Sequence, residues 1–300
     1  MSNIVSRGTT TTVQGRSHGP LRAQCEVLAH RRLGDYHSLT FVAPEMAERA
    51  QAGQFVSVGV RAGATILRRP FSIYQVSQHG AWAGTLEIVF AVVGPGTAWL
   101  TQQDKHDVVD VVGPLGRPFP LPQQPVTCLL VGGGYGVAPL LLLAQQLTQE
   151  GLRVDMVLGA KTQDRIFNAI DAKRLSASAQ FTTEDGSLGT KGLVTDVMPR
   201  VLESSKAGVV YACGPMPMLA AVSRLAQAHD LPVQVAVEEL MACGTGVCYT
   251  CVLPVQRRDG SHNLRACIEG PVFNGARVEW DKIGTAAMGN PPGTSAVSAR

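Results

Sequence analysis

The sequence predicts a multi-domain chain: an antiparallel β-barrel, a doubly wound α/β domain and a small C-terminal metal-binding segment. Three observations predict it. Residues 21–122 carry short alternating or β-branched runs broken by Gly, Pro and Asp, the texture of small antiparallel barrels and sandwiches. Over residues 123–235 strand-like and helix-like stretches alternate, which is the form of a parallel sheet wound with helices. Residues 236–282 then hold four of the seven cysteines.

Residues 1–20 are polar, rich in Gly and Thr and without period, so a flexible tail is expected there, as over residues 283–300 at the other end. The runs HSLTFVAP, GQFVSVGV, FSIYQVS, TLEIVFAVVG and HDVVDVVGPLG supply barrel strands. At the head of one of them Arg69, Pro70, Phe71 and Ser72 read R-P-F-S, and Gly94-Pro95-Gly96-Thr97 opens a short helical turn. An arginine and a hydroxyl on one strand, facing a helix N-terminus, make a clamp for a pyrophosphate. A solvated strand end is the competing reading of Arg69.

In the second region VTCLLVGGG reads as a buried strand and Val137 to Gln149 as a helix. The turn between them, Gly132 to Pro139, sits where a phosphate-cradling loop belongs: glycines admit close backbone approach, and the helix N-terminus offers unpaired N–H groups. Its spacing departs from G-x-G-x-x-G. The next strand also ends at Gly159-Ala160-Lys161 instead of at an acid for a ribose, so a tight turn without a ligand is the alternative. Lys161 lies where a 2′-phosphate could sit, although a lone lysine there is commonly solvated. Cys213-Gly214-Pro215 stands at the carboxyl end of another strand, where open α/β sheets bind ligands. Cys25 and Cys128 read as core thiols.

Cys243, Cys248 and Cys251 have four and then two residues between them, and Cys267 follows further on. This C-x(4)-C-x(2)-C run with a distant fourth cysteine is the spacing by which plant-type ferredoxins hold a [2Fe-2S] cluster. Gly244 and Gly246 give the loop the freedom to turn N–H groups toward the sulfurs. Structural zinc more often pairs two C-x(2)-C knuckles, and disulfides need an oxidising compartment for which the first thirty residues show no signal-peptide pattern.

A net charge of +3 with interspersed signs points to neither a nucleic-acid surface nor a membrane patch. The longest uncharged apolar stretch, Val126 to Ala144, is interrupted by Gly132 to Gly134, Gly136 and Pro139 and is no membrane span. A cytoplasmic protein is expected. No Ser-His-Asp or paired-carboxylate arrangement is recognisable, so hydrolytic or general acid–base chemistry has no candidates.

Taken in order, R-P-F-S, G-P-G-T, V-G-G-G-Y-G-V-A-P, D-G-S-L-G-T-K-G, A-C-G-P-M-P-M-L and the four-cysteine segment ending in E-G-P-V-F resemble one family over about Leu21 to Trp280. It is the electron-transfer subunit of two-subunit, NAD-dependent dihydroorotate dehydrogenase, itself related to ferredoxin reductases. The resemblance implies an FAD-binding barrel at 21–122, a NAD-binding α/β domain at 123–235 and a [2Fe-2S] segment at 236–282. It implies that Arg69, Pro70, Phe71 and Ser72 hold the flavin phosphate and ribityl region, Gly96 and Thr97 the pyrophosphate, and that Val89, Phe90 and Ala91 lie along the isoalloxazine. Ala91 stands where relatives often have Lys or Arg. Gly133, Gly134 and Gly136 are to approach the nicotinamide nucleotide, with Cys213 and Gly214 near its reacting ring and Tyr135 replacing an aliphatic residue. Cys243, Cys248, Cys251 and Cys267 are the cluster ligands. The implied partner is an FMN-containing subunit that oxidises dihydroorotate in pyrimidine biosynthesis, in a heterotetramer of two plus two. A stand-alone NAD(P)H reductase serving an oxygenase or ferredoxin would use the same three modules.

Overall fold

The structure, a computed structural model, describes residues 19–63 and 65–283. The two expected tails fall almost wholly outside these residues. The barrel is built from β1 (Leu21–Leu33), β2 (Tyr36–Val42), β3 (Phe55–Val58), β4 (Arg69–Ser77), β5 (Thr85–Phe90) and β6 (Val108–Leu115), closed in the order β1-β2-β5-β4-β3-β6. Two short helices, α1 (Pro44–Arg49) and α2 (Pro95–Leu100), fill its connections. β6 shows why such sequences close: VVDVVGPL buries every second residue, so one face enters the core and the other stays wet. β1 carries no such clean alternation, and its charged half, His30 to Arg32, is the stretch that composition alone does not mark as strand.

The second part comprises β7 (Thr127–Gly133), α3 (Val137–Gln149), β8 (Val154–Ala160), α4 (Ala169–Leu175), β9 (Ser178–Thr183), β10 (Thr190–Lys191), α5 (Val194–Ser205), β11 (Ala207–Cys213), α6 (Met216–Ala228) and β12 (Val233–Ala236). β13 (Val252–Arg257) and β14 (Gly260–Arg265) form a separate hairpin, and β15 (Val272–Asn274) follows. The large sheet has the order β10-β9-β8-β7-β11-β12-β15. Its strands run parallel except β15, which pairs antiparallel to β12 with Val235 opposite Phe273. One strand of this sheet therefore comes from the segment that sequence assigns to the cysteines.

Two cores hold the parts together. The first joins the barrel interior, Phe41, Ile73 and Ile88, to Leu140, Leu143 and Leu147 of α3, which packs against β4. Burying each such leucine contributes about 1.5–3 kcal/mol. The second lies on the opposite sheet face and takes in Phe55 and Leu115 from the barrel, Leu219 of α6, and Cys251 and Cys267. The barrel and the cysteine segment thus share a core. Among the described residues no helix is long and apolar enough to cross a membrane.

Candidate redox site

The β13–β14 hairpin explains why cysteines far apart in sequence meet. Val252 pairs with Arg265, so the residues just outside the ladder, Cys251 and Cys267, are brought side by side. The Ala266 N–H donates to the Cys251 carbonyl at 2.7 Å and the Cys267 N–H to the Cys251 Sγ at 3.4 Å. Cys243 and Cys248 come from the loop before β13, where Gly244, Gly246 and Tyr249 all adopt left-handed φ of 70°, 83° and 56°. Arg265 fastens this loop, donating to the Gly246 carbonyl at 3.0 Å while its guanidinium lies 4.7 Å from the centre of the Tyr249 ring.

The sulfurs are already supplied with donors. The Thr245 N–H reaches the Cys243 Sγ at 3.4 Å and the Thr250 hydroxyl the Cys248 Sγ at 3.2 Å. Burial opposes ionisation of Cys243, but the N–H groups of Thr245 and Cys248 outweigh it and bring the thiol down to about 6. The Thr250 hydroxyl lowers Cys248 likewise. Burial, with Cys251 alongside, pushes the Cys267 thiol up to about 12. All four thiols are free, Cys248 exposed and Cys243 partly so, Cys251 and Cys267 buried. Among the described residues no three ligand-type side chains gather around one point. The thiols stand as two neighbouring pairs, Cys243 with Cys248 and Cys251 with Cys267. Two pairs, one at the surface and one inside, suit a centre of two irons with two thiolates each. The loop also leans on the barrel: a Cβ on Gly244 would lie 3.7 Å from both Phe55 and Ser57 of β3.

A cleft of about 750 Å³ opens between barrel and sheet. Gly133, Gly134, Tyr135 and Ala91 line it, with Tyr36, Lys161, Glu184, Met218 and Glu238. It runs over the carboxyl ends of β7, β8 and β9, where doubly wound sheets take ligands. Gly134 is needed for its φ of 56°. Gly136 has a different reason: a Cβ there would be 2.7 Å from the Gly214 Cα, so the Gly-rich turn rests directly on the Cys213-Gly214 turn. Gly136, Cys213 and Gly214 are buried and stand behind the cleft wall, and the second turn reaches the cleft through Pro215, Pro217 and Met218 instead. Glu238 is crowded by protein yet opens to the cleft, and this burial raises its carboxyl above the usual range. Its charge in turn is the main reason why the Tyr135 phenol is pushed up to about 12.

On the barrel, Arg69 and Gly96 meet as R-P-F-S and G-P-G-T suggest: a Cβ on Gly96 would be 3.1 Å from the Arg69 Nε. Arg69 Nη1 donates to the Leu67 carbonyl at 2.8 Å, and Ser72 is exposed. Thr97 is committed locally, its hydroxyl accepting from the Val93 N–H at 2.9 Å and donating to the Gly94 carbonyl at 3.0 Å. Val89 and Phe90 are 6% and 2% exposed, so these two side chains belong to the protein interior, and Phe71 packs against Phe90 at 5.6 Å. Sequence reasoning passed over Asp35, Tyr36, Arg165, Glu184 and Glu238. Their nearness to the cleft arises from packing between the two parts, which leaves no local pattern; only the strand end before Lys161 and the D-G-S-L-G-T-K-G run marked the neighbourhood.

A reductase-type barrel, a nucleotide-binding parallel sheet and an iron–sulfur segment in this order define an NAD-linked iron–sulfur oxidoreductase. Residues 130–224 match the oxidoreductase NAD-binding domain, and residues 238–279 match the iron–sulfur cluster binding domain of dihydroorotate dehydrogenase B. The electron transfer subunit of dihydroorotate dehydrogenase B (NAD(+)) from Desulforamulus reducens is 39% identical over 81% of this chain and 92% of its own length. That from Bacillus caldolyticus is 40% identical over 81% and 92%. The chain belongs to this family of electron transfer subunits. Among solved structures, a chain from NADH-dependent reduced ferredoxin-NADP oxidoreductase superposes with a TM-score of 0.74 at 31% identity, covering 86% of this chain and 91% of that one. The ferredoxin reductase of carbazole 1,9a-dioxygenase, at 20% identity and a TM-score of 0.60, shares the fold.

Proposed function

We propose that this chain passes electrons between NAD and an FMN-containing dihydroorotate-oxidising subunit, through FAD and a [2Fe-2S] cluster, in an assembly of two copies of each subunit. The observation that carries the reading is the placement of the paired thiols, one pair at the surface and the other in a core shared with the barrel. When bound, FAD accepts a hydride and releases single electrons, which matches a two-electron donor to a one-electron cluster.

The residues then have distinct tasks. Arg69 holds the flavin phosphates from beside Gly96 and Ser72 bonds the ribityl chain. Thr97 shapes the turn whose backbone receives the pyrophosphate. Pro70, Phe71 and Ala91 border the ring, while Val89 and Phe90 support it from the interior. Gly133 and Gly134 admit the nicotinamide nucleotide to the cleft, and Gly136, Cys213 and Gly214 set the depth of its wall. Cys243, Cys248, Cys251 and Cys267 ligate the two irons, with N–H and hydroxyl donors already directed at the sulfurs.

A stand-alone NAD(P)H reductase serving an oxygenase or ferredoxin is the second reading, and the likeness to a ferredoxin-NADP oxidoreductase bears on it only through the ferredoxin that protein's name carries. Co-expression with the candidate catalytic subunit separates the two. The expected result is a stable complex of two-plus-two mass that reduces NAD+ with dihydroorotate, while this chain alone reduces artificial acceptors with NADH but leaves dihydroorotate untouched. Dihydroorotate oxidation by the lone chain, or no association, would remove the first reading.

A further inference from the structure

A second cavity, of about 790 Å³, lies on the barrel beside α2 and shares no lining residue with the cleft. Pro95, Ala98, Trp99 and Gln102 line it at the i, i+3, i+4 and i+7 spacing of one helical face, and Arg61 lines it from the segment after β3. Gly96, Thr97 and Leu100 of the same helix are buried. From Pro95 to Gln102 the lining face runs about 10 Å at 1.5 Å per residue, room for a nucleoside laid lengthwise. Its near end, Pro95, is next in the chain to Gly96, which stands against Arg69. Trp99 is a fixed surface in this cavity. It packs partly against the barrel core, and its carbonyl accepts from the Gln102 N–H at 3.1 Å and from Nε2 of the buried Gln103 at 2.9 Å.

We propose that this cavity receives the adenosine half of FAD, its purine stacked on the Trp99 indole, and that it makes the barrel take FAD in preference to FMN. The assignment rests on reading Arg69 as the residue that holds the flavin phosphates. With the phosphates there and the flavin ring bordered by Phe71 and Ala91, the adenosine continues past Pro95 into the cavity. An indole and a purine both present large flat π-faces, so they stack without a shaped slot. Gln102, exposed at the far end of the same face, carries an amide that donates and accepts at once. That matches the edge of adenine, where an amino group stands beside a ring nitrogen. Arg61, exposed on the facing segment, brings a positive charge to the phosphates. The G-P-G-T motif ends two residues before Trp99 and carries no sign of this second role.

The test is titration of the flavin-stripped, cluster-loaded protein with FAD and with FMN, read by flavin fluorescence, for the parent, Trp99→Ala, Trp99→Phe, Gln102→Ala and Arg69→Ala. FMN ends at its phosphate, so it engages Arg69 and leaves the cavity empty. The parent should bind FAD more tightly than FMN. Trp99→Ala should weaken FAD on the order of tenfold with FMN unmoved, and Trp99→Phe should keep most of the preference. Gln102→Ala should weaken FAD alone, by about fivefold. Gln102 is exposed, so its replacement keeps the test decisive if loss of the Trp99 ring disturbs the barrel. Arg69→Ala should weaken both flavins alike. A preference for FAD unmoved in Trp99→Ala and Gln102→Ala, or a loss shared equally by FMN in both, overturns the assignment and leaves the Arg69 reading standing. Parental affinity for both flavins in Arg69→Ala overturns the phosphate reading and the assignment with it.

Discussion

At the residue scale, a thiolate ligand is irreplaceable when no spare lies within reach. Cys243, Cys248, Cys251 and Cys267 form two neighbouring pairs, whereas Cys25 and Cys128 are each 1% exposed or less inside the barrel and sheet cores. Replacing any of the four by Ser should abolish the low-temperature spin-resonance signal of the reduced protein and lower its bound iron. Cys25→Ser and Cys128→Ser should leave both unchanged, since burial pushes those thiols up, to about 11 and about 12, and keeps them protonated. One equivalent of zinc per chain and no iron would end the ligand assignment. The cysteine spacing was fully legible because it is a covalent property of one loop. The pairing of Cys251 with Cys267 was not, because it depends on a hairpin register that the sequence between them does not announce.

At the element scale, the two turns of the parallel sheet act as one object. Gly136 has nowhere to place a side chain, since Gly214 Cα and the Cys213 carbonyl carbon stand 2.7 and 2.9 Å from the position of a Cβ. These are backbone atoms, which yield less readily than a flexible side chain. Gly136→Ala should destabilise the protein by about 1–3 kcal/mol and weaken NAD+ binding, measured as the thermal midpoint and by titration. Undiminished stability and affinity would mean that the turns separate freely. From sequence the same glycine looked like a place for a ligand, because close approach of backbone to ligand and of backbone to backbone demand the same residue. The barrel strands and α3 were legible through period and apolar content. β15 was not, because a three-residue strand gets its identity from its partner β12.

At the scale of the whole molecule, the chain is a relay whose steps can be interrupted one at a time. The cluster loop lies on β3 of the barrel, whereas the barrel lines the cleft through Tyr36 and Ala91 and none of the four cysteines lines it, so the nucleotide end does not depend on the thiols. Cys248→Ser should therefore block dihydroorotate-dependent reduction of NAD+ in the complete complex while NADH still bleaches the flavin absorbance at close to the parent rate. Full coupled turnover in that variant would require a route around the cluster. The order of parts was readable in the sequence. Their mutual placement was not, since it rests on contacts such as Tyr36 against Phe167 and Asp35 against Arg165 that join residues far apart in the chain.

The antiparallel strand at the sheet margin bears on ancestry and engineering. β12 is flanked on one side by β11 and on the other only by β15, which lies beyond all four thiols in the chain. Cutting the chain before the cysteines would leave β12 with a raw row of N–H and C=O groups, an invitation to stick to other copies. The released piece would in turn lose Phe55 and Leu115 as its floor. Unlike a free ferredoxin carried as cargo on a tether, this cysteine segment is a keystone: it cannot be traded between reductases without redesigning the margin that β15 seals.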